Sequence, residues 1–201
     1  MDEIKIKKYK GFTLIELLVV VAIIGLMSSI VFSLVAKSRE NARRVVALQT
    51  QRQLQKAIEL YYNDMGFYPP DVNRGWDPGI SQALPYNKDL GKDCATNSAD
   101  CPVCTNCPSD WVSQAQAKWR GPYVTQWPNT APWGGKYDYN NWDTATVRYG
   151  CTVQPGIYIG TQRNYDESNP IPPSEEQWFL SQNLDADYCS NGESQLVLIR
   201  Y

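Results

Sequence analysis

Few residues in this chain have the chemistry for a reactive or metal-binding site, and they are unevenly placed. All six cysteines (Cys94, Cys101, Cys104, Cys107, Cys151 and Cys189) lie in the C-terminal domain that follows the long apolar and helical stretch, and histidine is absent. Without histidine, a Ser-His-Asp nucleophile or a His-ligated metal is excluded. No Gly-rich phosphate loop is present either. The C-x6-C-x2-C-x2-C run from Cys94 to Cys107 has part of a structural zinc spacing, but not two C-x2-C knuckles separated by a longer loop. Disulfides stapling a loop are the stronger reading, with Cys151–Cys189 the preferred remaining pair; the connectivity of the other four stays open. That pair would close about 38 residues and contribute roughly 2–4 kcal/mol. Asp185 and Asp187, near Asn183, Asn191 and Glu193, offer oxygen ligands suited to calcium. A solvated acidic turn is the stronger reading there, so no metal or other cofactor is expected. One carboxylate stands apart from all of these: Glu16, at the start of an otherwise apolar run.

The elements around these residues divide the chain. Lys5, Lys7, Lys8 and Lys10 precede about twenty uncharged residues from Leu17 to Ala36, a length that matches a hydrocarbon core of about 30 Å. The leading lysines favour a cytoplasmic N-terminus, while Lys37, Arg39, Arg43 and Arg44 argue the other way. An even set of cysteines confined to the C-terminal part favours that part lying in an oxidising, extracytoplasmic compartment. With a formal charge of −2, the chain has no global positive field to suggest nucleic-acid binding.

No Pro or Gly interrupts Lys37 to Met65, and Ala47, Leu54, Ile58, Tyr61 and Met65 recur at helical spacing. The pattern predicts one helix from about Phe12 to Asp64, ended by Gly66 and Pro69-Pro70. Asp71 to about Gln116 reads as a long irregular loop. Short aromatic and β-branched runs follow at Tyr123 to Gln126, Lys136 to Asn140, Thr146 to Tyr149, Gly156 to Gly160 and Leu196 to Tyr201. The predicted fold is α+β, a long hydrophobic helix whose C-terminal half packs on a small antiparallel sheet, in the manner of a lollipop. Trp111, Trp119, Trp127, Trp133, Trp142 and Trp178 are assigned to a core too small for aliphatics alone. No pattern among them points to carbohydrate or DNA.

Gly11 followed by Phe12-Thr13-Leu14-Ile15-Glu16, opening an apolar helix behind a basic leader, resembles the class III signal of type IV prepilins and type II secretion pseudopilins. YYNDMGFYPPD (Tyr61 to Asp71) resembles the end of the long pilin helix, and WRGPYVTQWPNTAPWGGKYDY (Trp119 to Tyr139) resembles a segment of major pseudopilins and related pilins. The resemblance implies a leader at 1–11, a transmembrane or filament-core helix half at 12–36, an amphipathic half at 37–65, and an extracytoplasmic domain at 66–201 with a cysteine-rich loop at 71–118. It implies cleavage by prepilin peptidase between Gly11 and Phe12, N-methylation of Phe12, and a role for Glu16 as partner of the Phe12 amine of a neighbouring subunit during assembly. The chain departs from the family at Phe32-Ser33-Leu34, where many relatives have proline, so any filament-induced melting of the helix is to be sought from Gly25 to Ser33.

The leading functional expectation is a non-enzymatic subunit of a type IV pilus-like filament, homo-oligomeric or mixed with other pilins. Its partners would be the membrane, the peptidase and an inner-membrane assembly platform. The precursor would sit in the inner membrane and the mature form in an extracytoplasmic or cell-surface filament. Alternatives are a pseudopilin of a type II secretion system and a membrane-tethered binding module.

Overall fold

The computed structural model describes residues 11–87, 92–93, 104, 107–186 and 188–200. Cys94, Cys101 and Asp187 lie outside these. The described elements are α1 (Leu14–Met65), β1 (Tyr86–Asn87), β2 (Lys92–Asp93), α2 (Trp111–Lys118), β3 (Lys136–Trp142), β4 (Thr146–Arg148), β5 (Cys151–Val153), β6 (Gly156–Gln162), α3 (Pro173–Ser181) and β7 (Ser194–Arg200). The chain forms two compact units that divide between Ala42 and Arg43. Within the second unit the Arg44 guanidinium of α1 pairs with Glu175 of α3.

From Leu17 to Ala36 α1 is uncharged and exposed: most of its large apolar residues to Val35 lie open, as do Phe12 and Leu14 before them. The helix runs through Gly25 and Ser33 without a break. Lacking proline, this segment keeps every backbone donor, and the Ser29 hydroxyl donates to the Leu26 carbonyl at 2.8 Å without breaking the helix.

In the second unit, Ala47, Gln51, Leu54, Ala57, Ile58, Tyr61 and Met65 form the buried stripe of α1, the three- and four-residue spacing that puts side chains on one helical face. The stripe packs with Tyr137, Tyr139, Ile157 and Ile159. These are alternate residues of β3 and β6, so they share one face of an antiparallel sheet ordered β3-β6-β7. Central β6 is buried along its whole length. Gln51 is the polar member of the stripe, and its amide donates to Ser194 Oγ at 3.0 Å and Thr161 Oγ1 at 3.3 Å. Those two residues are cross-strand partners of β6 and β7. At its C-terminus α1 is closed by Gly66, at φ +80°, whose N–H donates to the Tyr62 carbonyl at 2.8 Å, the left-handed cap that glycine adopts without strain.

Four sequence expectations are corrected. Tyr123 to Gln126 is not a strand: the Tyr123 N–H donates to the Ile80 carbonyl at 2.9 Å, and the flanking prolines at 122 and 128 leave it no ladder partner. The irregular loop from Asp71 contains β1, β2 and the start of α2. Helix α3 was not anticipated, because Pro172-Pro173 reads as a breaker although proline suits a first helical turn. Strand β5 pairs with β4 as a separate ribbon, where the sequence reading had only β4.

Candidate functional site

The opening of α1 has a local logic of its own. Leu14 is the first helical residue, so Thr13 stands at the N-cap and Glu16 three residues on. Glu16 Oε2 accepts from the Thr13 N–H at 2.8 Å and from its hydroxyl at 2.7 Å, while the Glu16 N–H donates back to Thr13 Oγ1 at 3.3 Å. This is a capping box, two helix-end groups satisfied reciprocally. The signal T-x-x-E is present in the sequence, whose reading assigns the glutamate to an intermolecular partner alone. Gly11 and Phe12 stand outside the helix directly before the cap, both exposed. The carboxylate is also four residues along the chain from Phe12, whose nitrogen would become a cation on cleavage after Gly11.

Among the described residues the four cysteines form two bridges, Cys104–Cys107 and Cys151–Cys189. The second joins β5 to the segment before β7, closing a separation of 38 residues that contains β6 and α3. Glu176 of α3 fastens the far end, its carboxylate accepting from the Ser190 hydroxyl at 2.8 Å and the N–H groups of Asn191 and Gly192 at 2.5 and 2.7 Å.

Asp185 is not part of a solvated acidic turn. It is fully buried, and its Oδ1 accepts the Gln195 N–H at 2.9 Å. Glu193 is buried as well, against Arg148 at 3.1 Å and Arg74 at 3.7 Å. Among the described residues no group of three or more acids, cysteines or histidines is arranged to hold a metal ion. Sequence reasoning missed what does occupy this region, an ionic layer on the sheet face opposite α1, because nothing local marks Asp71, Arg74, Asp138, Arg148 and Glu193 as neighbours.

The acids of that layer share one direction of shift. Burial pushes Asp138 well above the usual carboxylate range, with repulsion from Asp71 adding to it and Arg148 and Arg74 opposing. Burial also raises Glu193 against the same two arginines. Asp71 is raised to about 7, chiefly by burial, despite hydrogen bonds from the Asn141 backbone and Trp142. A carboxyl whose folded pKa is raised holds its proton more tightly folded than unfolded. Its stability contribution is therefore full below the unfolded value and is lost as pH rises through about 7. Asp71→Asn is expected to flatten that fall. Urea melts at pH 5 and pH 8 should give wild type a loss of about 1–3 kcal/mol across the interval, and the variant distinctly less; equal pH slopes would remove Asp71 from this role.

A capped apolar helix long enough to cross a bilayer, continued into an amphipathic half laid on a small antiparallel sheet, is the α+β layout of pilin-like proteins. Comparison with known proteins narrows this. Residues 6–32 match the family described as the prokaryotic N-terminal methylation motif. The chain is similar to type II secretion system core protein G of Escherichia coli K12, with 33% identity over 88 residues, 41% of this chain and 60% of that protein. It is similar also to the protein of that name from Vibrio cholerae, with 35% identity over 65 residues, 32% of this chain and 44% of that protein. The chain thus spans about half the length of the curated relatives it matches. No solved structure matches it. The resemblance to type IV pilins and type II secretion pseudopilins therefore rests on the prepilin signal and on pseudopilin relatives together.

Proposed function

We propose that this chain is a pseudopilin, a structural subunit of a pilus-like filament in a type II secretion system. The observation that carries the reading is the coincidence of a methylation-type signal with similarity to secretion core protein G. In this reading prepilin peptidase cuts between Gly11 and Phe12, the new Phe12 amine is methylated, and the exposed apolar half of α1 is buried against copies of itself or related subunits. An apolar surface of that extent needs either lipid or protein around it. The precursor sits in the inner membrane and the mature subunit in a periplasmic filament. The role is structural, without catalysis or a cofactor.

The surface-pilus reading that led from sequence is second, favoured by the covalent staples of the domain but not by the relatives. Deletion of the gene in its host distinguishes the two. A pseudopilin leaves enzymes trapped in the periplasm with surface fibres intact, whereas a pilin removes the fibres and spares secretion. Mass spectrometry of the mature protein is expected to find N-methyl-Phe12 at the amino end; Met1 retained in the mature membrane-resident form would sink both filament readings.

A further inference from the structure

A cleft of about 620 Å³ opens on the second unit, between the 74–76 turn, the 129–136 segment and the 164–166 turn. Its size falls within the roughly 300–1,000 Å³ typical of small-molecule sites. The walls are held in place by the chain itself. The Arg74 guanidinium is buried and donates to the Arg163 carbonyl at 2.7 Å, the Asn164 carbonyl at 3.3 Å and Tyr149 Oη at 3.2 Å. The Gly75 N–H donates to the Tyr137 carbonyl at 3.0 Å, and the Asn164 N–H to the Ser168 carbonyl at 3.0 Å. Gly75, at φ +80°, leaves room for the Lys136 stem, which an added Cβ would meet at 3.2 Å. The cleft is therefore preformed, which lowers the ordering cost of binding.

Three of its lining side chains are uncommitted. Among the described residues, the side chains of Trp76, Asn129 and Lys136 form no hydrogen bond, ion pair or ring contact, although they sit within one cleft. Tyr165 stands at the rim, 64% exposed, with its hydroxyl accepting the Arg74 N–H at 2.9 Å and one ring face on the Arg74 guanidinium at 4.7 Å. Asp166 supplies a carboxylate beside it, whose Oδ1 accepts the Ser168 N–H at 3.0 Å and the Ser168 hydroxyl at 2.6 Å while Oδ2 remains open among the described residues.

This combination selects a class of ligand. The guanidinium of Arg74 is spent on carbonyls and Tyr149, so Lys136 is the one uncommitted cation of the lining, and the same lining carries the Asp166 carboxylate; a phosphate or other anion finds no converging positive charge. Two aromatic rings with an amide, an ammonium and a carboxylate suit a molecule that alternates C–H faces with hydroxyl edges. The rings take the C–H face by dispersion, and the polar groups donate to and accept from hydroxyls. We propose that the cleft bounded by Trp76, Asn129, Lys136, Tyr165 and Asp166 is a binding site for a short, uncharged saccharide.

The test uses the full chain in micelles of a detergent without a sugar headgroup, with maltose, cellobiose and diacetylchitobiose as probes in saturation-transfer NMR. Transfer to at least one disaccharide is expected at concentrations up to about 10 mM, a weak affinity in keeping with so open a site. Binding should weaken by about tenfold or more in Trp76→Ala and by severalfold in Lys136→Met, a change that keeps the stem over Gly75 and removes the ammonium. Near-UV circular dichroism checks the fold, and Lys136→Met decides the matter should Trp76→Ala misfold. No transfer to any of the three sugars, or equal transfer in wild type and a folded variant, would overturn the site.

Discussion

Glu16→Leu is expected to be cut normally after Gly11 and then to fail in assembly, with filaments reduced to less than about a tenth of wild type by electron microscopy. The substitution removes the one acid from an apolar helix, so entry into the bilayer becomes easier and cannot account for a loss of filaments. What is lost is either the capping box with Thr13 or a charge held beside the new Phe12 amine. Glu16→Gln separates the two. Glutamine keeps the reciprocal bonds of the box, in which either side chain serves, but carries no charge. Filaments that fail equally with glutamine place the role in the charge. Normal filaments with glutamine would reduce Glu16 to a helix cap, and normal filaments with leucine would remove it from assembly altogether. Because a pair of opposite charges gains little net free energy once desolvation is subtracted, the charge is expected to set which subunits join and in what register.

Replacing Cys151 and Cys189 together by serine is expected to cost about 2–5 kcal/mol of domain stability, the usual consequence of removing a native staple. Urea denaturation followed by tryptophan fluorescence measures it. The bridge closes the segment that carries β6 and α3. Opening it frees the unfolded chain, and it also loosens the turn that Glu176 holds through Ser190, Asn191 and Gly192. A loss below about 0.5 kcal/mol would mean that the Glu176 contacts suffice without the bridge.

The parts of this molecule that the sequence discloses are those with short-range causes. The helix expected from Phe12 to Asp64 is observed from Leu14 to Met65, since hydrophobic spacing and a Gly cap act within a few residues. The runs at 136, 146, 156 and 196 likewise fall on β3, β4, β6 and β7. The disposition of polar residues was not legible, because it depends on partners far along the chain. Asp185 looks like a loop acid until Gln195 is brought over it, and Asp138 reads as one polar position in a strand until burial places it among arginines 64 and 10 residues away. Trp76 escaped the sequence reading for a related reason: in a Gly- and Asp-rich turn it has no periodicity, and its neighbours Lys136 and Tyr165 arrive only with the sheet.

Gln51 gives α1 an index mark. The apolar residues of its stripe are nearly interchangeable in what they bury, so a helix carrying only leucine, alanine and isoleucine would find several seats on the sheet at similar cost. Gln51 has one seat, where its amide meets Thr161 and Ser194 on adjacent strands. A shift by one turn would carry that amide to apolar ground and strand it there at the cost of an unpaired buried group. The sheet therefore reads the axial position of the helix discretely, one notch at a time, and a load along α1 is resisted by a polar detent until it yields all at once.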